Sequence, residues 1–141
     1  MKSFFWFVAV LSFASPCAAD RLPQIAVPDN YRLTFTPDLA KDVFDGDETI
    51  TVRLLKPSSE IVLNAVDIAF HNVTIESGGS TESAKVTVNQ AKQIATLAVG
   101  KSLAVGPAVI HARYSGVLND QMRGFYIGND DHGRKYAATQ L

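Results

Sequence analysis

The chain has one cysteine in 141 residues, and that one, Cys17, lies near the N-terminus. With a single thiol no intrachain disulfide can staple the fold, and a Cys-x-x-Cys redox or metal motif is impossible. Runs of lysine or arginine are also missing: 13 basic and 14 acidic residues give a formal net charge of −1. Recognition of nucleic-acid phosphates needs a basic face, so DNA and RNA are not expected partners. Histidine is scarce; His71, His111 and His132 are far apart and none is followed by glutamate. That excludes a His-Glu-x-x-His helix, in which two histidines one turn apart hold one zinc ion and the glutamate acts on its bound water. A Gly-x-Ser-x-Gly nucleophile elbow is absent as well. No apolar stretch reaches the roughly 20 residues that a helix needs to span a ~30 Å hydrocarbon core.

The most apolar stretch, Phe4 to Phe13, is ten residues long and follows the positive Lys2. Small residues come next at Ala14, Ser15, Cys17, Ala18 and Ala19, then the charged Asp20. This order is that of a cleavable secretory signal over residues 1–19, with a retained membrane anchor as the alternative. Pro16 directly before Cys17 departs from a lipoprotein cleavage site. Cleavage after Ala19 removes the only cysteine and Lys2, so the remaining domain, 20–141, is cysteine-free with a net charge of −2 (−1 minus the one lost positive charge). The expectation is an exported chain, periplasmic or extracellular, with no membrane contact once the signal is gone.

Beyond the signal the hydrophobic period is two, which argues strands. Tyr31, Leu33 and Phe35 alternate with polar residues between Pro28 and Pro37, and Phe44, Gly46, Glu48, Ile50, Val52 and Leu54 share one face of a longer strand. Ile61–Leu63 and Asp67–Glu76 read as two more, the second with a bulge near His71–Asn72 where the apolar phase slips. A hairpin turning at Asn89–Lys92 joins Ala84–Val88 to Ile94–Val99, Ala108–Tyr114 forms a further strand, and Arg134–Leu141 begins another. Ser77–Ser83 reads as a solvated loop and Gly116–Asp131 as mostly loop. Seven to nine short strands and no helix after the signal predict one all-β domain, an antiparallel β-sandwich or open barrel.

Five ordered blocks carry a resemblance: Arg21-Leu22-Pro23 through Val27-Pro28, Tyr31, Leu33, Phe35 and Pro37-Asp38-Leu39; Phe44-Asp45-Gly46 to Ile50; Ser59-Glu60-Ile61-Val62-Leu63-Asn64-Ala65; Tyr114-Ser115-Gly116-Val117-Leu118-Asn119-Asp120 with Arg123-Gly124-Phe125-Tyr126; and Tyr136-Ala137-Ala138-Thr139-Gln140. Together they resemble the N-terminal β-domain of the aminopeptidase N family of zinc metallopeptidases, across 21–140. The resemblance implies saddle-like β-sheets that pack, in cis or in trans, on a thermolysin-like catalytic domain carrying the zinc. It implies no catalytic or metal-binding residue in this chain, no cofactor of its own, and peptide substrate only with that catalytic domain. The family's Gly-x-Met-Glu-Asn amine-binding loop is missing too, since Met122 is followed by Arg123.

One residue carries over as substrate-binding. Gln140 matches the glutamine of the family's Gln-Phe-Glu ending, which lines the pocket for the substrate's first side chain; Leu141 stands at the phenylalanine position. Structural roles are expected elsewhere: Leu63, Phe125 and Tyr126 as core, Gly116 and Gly124 as positions of special backbone angle, and Asn64, Asn119 and Asp120 as turn caps. Asp130-Asp131-His132, the densest group of metal-ligating side chains, reads as a solvated loop tip beside two glycines. Asn72-Val73-Thr74 matches a glycosylation acceptor. The expected function is therefore the non-catalytic domain of an exported zinc aminopeptidase, cut short or split from its enzyme and inactive by itself. Alternatives are a free-standing secreted β-sandwich binding a protein, peptide or glycan, and a decayed product without function.

Overall fold

The computed structural model describes residues 22–140; the expected signal, Cys17 and Leu141 lie outside the described residues. Ten strands follow in order: β1 Ala26–Asp38, β2 Val43–Leu54, β3 Ser58–Asn64, β4 Ile68–Ser77, β5 Ser80–Ser83, β6 Lys85–Asn89, β7 Ile94–Leu103, β8 Gly106–Val117, β9 Gly124–Asn129 and β10 Lys135–Gln140. They form a five-stranded sheet β1-β2-β8-β4-β5, a three-stranded sheet β3-β7-β6 and a hairpin β10-β9, with every strand pair antiparallel. The expected all-β, antiparallel architecture is what the chain adopts.

Register explains the core. Residues directly opposite in antiparallel strands share a face, and Ile50 lies opposite Ile110, which lies opposite Ile75. One row up, Val73 sits opposite Ala112. The period-two pattern of β2, β8 and β4 thus adds up to one continuous apolar face. The small sheet covers one end of it, bringing Ile61, Leu97, Val99 and Leu103 into the same buried cluster. Leu54, Ile75 and Leu97 are fully buried there. Phe125, Ile127 and Ala137 of the β9–β10 hairpin pack against the other end.

The hairpin is fastened by polar contacts. The Ile127 amide donates to the Asn119 carbonyl at 2.9 Å, and Lys135 meets Asp42 of the β1–β2 turn at 2.6 Å.

Several sequence expectations change. β1 runs through both Pro28 and Pro37, which an edge strand tolerates because its outer N–H groups need no partner; a bulge falls between Pro28 and Asn30. Ser77–Ser83 is a hairpin, not a loop: Gly78 and Gly79 both take positive φ, 59° and 79°, closing a two-residue turn between β4 and β5. Paired positive angles match the right-handed twist of the flanking strands, and glycine reaches them without strain. Gly116–Asp131 holds the end of β8 and all of β9. The bulge in β4 lies where the slipped phase placed it, between Phe70 and Asn72.

Two glycines have a steric role on the apolar face. Gly46 lies opposite Tyr114, and Phe44 lies opposite Gly116. Each ring lies over its glycine so closely that a methyl there would fall inside the ring. Gly116 therefore provides room rather than a special backbone angle, which corrects the expectation for that residue. Gly124 does take a positive φ of 68°. Gly46→Ala and Gly116→Ala should each lower unfolding free energy by about 1–3 kcal/mol, the usual cost of overpacking. Urea denaturation followed by tyrosine fluorescence measures this; unchanged midpoints would contradict the ring-on-glycine packing.

Candidate functional site

Gln140 ends β10, opposite Gly124 of β9, and is exposed. Phe125 and Ile127 face the core, so their partners Thr139 and Ala137 share that inner face. Gln140, Ala138 and Tyr136 then lie on the outer face with Tyr126, whose expected place in the core is corrected by one step of the two-residue alternation. The Tyr136 ring lies over Gly128, a third aromatic set on an opposite glycine. Gln140 is thus displayed on the outer face of the hairpin, which it shares with Tyr126 and Tyr136. Nothing in the local sequence before β9 announced that surface, because β9 itself read as loop.

Between the two covers the apolar face is open. A groove of about 720 Å³ runs there, floored by Phe35, Phe44, Tyr114 and Phe125. These rings interlock: Phe44 meets Phe35 edge-on at 5.6 Å, Phe125 at 5.0 Å and Tyr114 at 6.4 Å between centroids. Asn119 shapes the rim as a turn cap, its Nδ2 donating to the Arg123 carbonyl at 2.8 Å and its Oδ1 accepting from the Gln121 amide at 2.9 Å. That role matches the expectation for Asn119.

The opposite face of the five-stranded sheet is polar. A shallow hollow of about 440 Å³ there is lined by Thr34, Asp45, Asp47, His71 and Arg113, among others. Its groups satisfy one another: His71 pairs with Ser115 at 2.9 Å, and Arg113 approaches Asp47 at 3.9 Å. His111, on the same face, pairs with Thr49 at 3.1 Å.

Asp130 is committed to its turn. Its carboxylate accepts from the His132 and Arg134 amides at 2.9 and 2.8 Å and from the Arg134 guanidinium at 2.7 Å. Arg134 and these amide donors hold its carboxyl below the usual range. Among the described residues no three histidine, cysteine, aspartate or glutamate side chains converge on a metal-sized site. Among the described residues no donor set is arranged to fit a zinc ion.

Glu48 is a carboxylate set on the apolar face, half-buried between Leu33 and Ala112. Burial pushes its carboxyl above the ordinary range, offset in part by the Tyr114 hydroxyl beside it. The same burial, with the Glu48 charge, pushes the Tyr114 hydroxyl well upward. A carboxyl raised on folding contributes stability below its unfolded value of about 4.5, and that contribution is lost as pH climbs through the raised folded value. Glu48→Gln, which keeps the hydrogen bond without the charge, should raise the melting temperature at pH 7 and lose that advantage below pH 4. Thermal melts of both proteins at the two pH values test it; an equal difference at both would contradict a raised carboxyl.

Residues 27–141 match the family model described as the peptidase M1 N-terminal domain. Aminopeptidase M1-D of rice is 41% identical over 106 residues, covering 75% of this chain and 12% of the relative. Aminopeptidase M1 of Arabidopsis thaliana is 33% identical over 129 residues, 86% of this chain and 15% of the relative. The mitochondrial aminopeptidase 2 of Saccharomyces cerevisiae is 34% identical over 109 residues, 74% of this chain and 11% of the relative. The chain thus spans less than a sixth of the length of these relatives. With the family model matched over 27–141 and relatives up to 41% identical, the chain belongs to the peptidase M1 N-terminal domain family.

Proposed function

We propose that the chain is the N-terminal, non-catalytic domain of an exported zinc aminopeptidase, packing on a thermolysin-like catalytic domain and lending Gln140 to the wall of the substrate pocket. Export is supported by the charge, apolar run and small residues of 1–19. The observation that carries the pocket role is the placement of Gln140: an exposed amide at the end of β10, on the outer face with Tyr126 and Tyr136. An amide can both donate and accept, so it can line a pocket for varied first side chains without imposing a charge. Tyr126 and Tyr136 add rigid, amphipathic area of the sort that contact surfaces use.

The zinc that such an enzyme uses would polarise the scissile carbonyl and activate water. Among the described residues no group is arranged to hold it, and in this reading the domain shapes and walls while another part of the protein performs the chemistry. The purified chain should not hydrolyse an aminoacyl chromogenic substrate, with or without added zinc. Chelator-sensitive hydrolysis by the chain alone would overturn the reading. Placed in the rice relative instead of its matching stretch, the chain should support hydrolysis, and Gln140→Ala should raise KM several-fold with kcat little changed, the pattern of lost binding rather than lost chemistry. An unchanged KM for every first residue tried would remove Gln140 from the pocket.

A further inference from the structure

The role given to Gln140 leaves the motif Asn72-Val73-Thr74 without a function. It is the only Asn-x-Ser/Thr triplet in the 141 residues, and it lies within β4. In an exported chain such a triplet is an acceptor for N-linked glycan, and the asparagine that carries the glycan must stand at the surface. The β4 bulge puts it there. Phe70 lies opposite Tyr114 and Asn72 opposite Arg113, so His71 is the extra residue. His71 and Asn72 are both exposed, where strict alternation would turn one of them inward. Beyond the bulge the alternation resumes: Val73 is buried in the core, and Asn72 and Thr74 share the polar face.

The surroundings suit a sugar. Asn72 borders the hollow of about 440 Å³ with Thr34, Asp47, His71 and Arg113, and a smaller one of about 130 Å³ with Thr74 and His111. Its carboxamide makes no hydrogen bond to another described residue, whereas Asn89 and Asn119 are committed to turns. Both covers of the core, the small sheet and the β9–β10 hairpin, lie on the other side of the five-stranded sheet, so a glycan at Asn72 collides with neither. A polar face whose groups pair with one another also presents no apolar patch in need of a protein cover. We propose that Asn72 is the attachment site of an N-linked glycan, which makes the polar face of this sheet a solvent face. The proposal rests on the export included in the reading above. The donor is an oligosaccharide carried on a lipid diphosphate, and Thr74 supplies the hydroxyl that the triplet requires. The Asn72 Nδ2 displaces the diphosphate at C1 of the first sugar. The C1–O bond breaks, its electron pair leaves with the lipid diphosphate, the C1–Nδ2 bond forms and one amide proton is released.

The test translates the full chain beside microsomes from secretory cells, once behind its own residues 1–19 and once behind the leader of a secreted host protein. Import is read as protection from added protease. The glycan is read as a gain in mass that peptide N-glycosidase removes, leaving aspartate at position 72. Most imported chains should carry one glycan, lost in Asn72→Gln and Thr74→Ala and kept in Thr74→Ser. The glycan is added as the chain enters the microsome, so a variant that folds poorly still gives an answer. Purified from secretory cells, the glycosylated chain should melt at the same temperature before and after enzymatic release of the glycan, because the face that carries it is already exposed. Import without a glycan overturns the site and spares the export reading. A glycan behind the host leader, with no import behind residues 1–19, supports the site and removes export. A glycosylated chain with no cooperative melting transition overturns the placement of the glycan on the folded sheet.

Discussion

The structure depends on one constraint: the apolar face shared by β2, β8 and β4 is longer than any single element of the chain can cover. Ile50, Ile110 and Ile75 are buried by the small sheet, and Phe44 with Phe35 by the β9–β10 hairpin. At the rate of roughly 25 cal/mol per Å² of apolar surface, leaving either end bare would be costly for a domain without disulfides. Two separate covers solve this and leave a gap between them. The gap is floored by aromatic rings because glycines opposite Phe44 and Tyr114 let those rings lie flat against the sheet. Packing and groove therefore have the same origin.

Much of this was readable in the sequence. Alternation from Phe44 to Leu54 and from Ala108 to Tyr114 marks the two central strands, since a half-buried strand must alternate. The slipped phase at His71 marks the β4 bulge for the same reason. What stayed hidden depends on long-range pairing. Gly78-Gly79 looks like loop composition until both angles are seen to be positive, and β9 is short and interrupted by glycine, so its identity as a strand comes from β10. Gly116 was assigned to backbone geometry, but its reason is a ring supplied from β2. The placement of Glu48 on the apolar face is legible by phase alone, and its cost is not.

The candidate site divides in the same way. Gln140 could be named from the resemblance, and period two then puts it on the face opposite Thr139. Its neighbours there, Tyr126 and Tyr136, come from a pairing that no local pattern specifies. The groove could not be named at all from sequence, because its floor collects residues from β1, β2, β8 and β9. Family membership holds over 27–141, and among the described residues no three potential metal ligands converge. In the proposed reading the domain's contribution is geometric, with Gln140 displayed on the outer face of the β9–β10 hairpin.

The most direct test is a crystal structure of the chain joined to the rice relative, with an amino-acid-like inhibitor bound. The account predicts the Gln140 side chain within about 4 Å of the inhibitor's first side chain, the ordinary range for contact. Gln140 turned to bulk solvent, well away from the inhibitor, would contradict it.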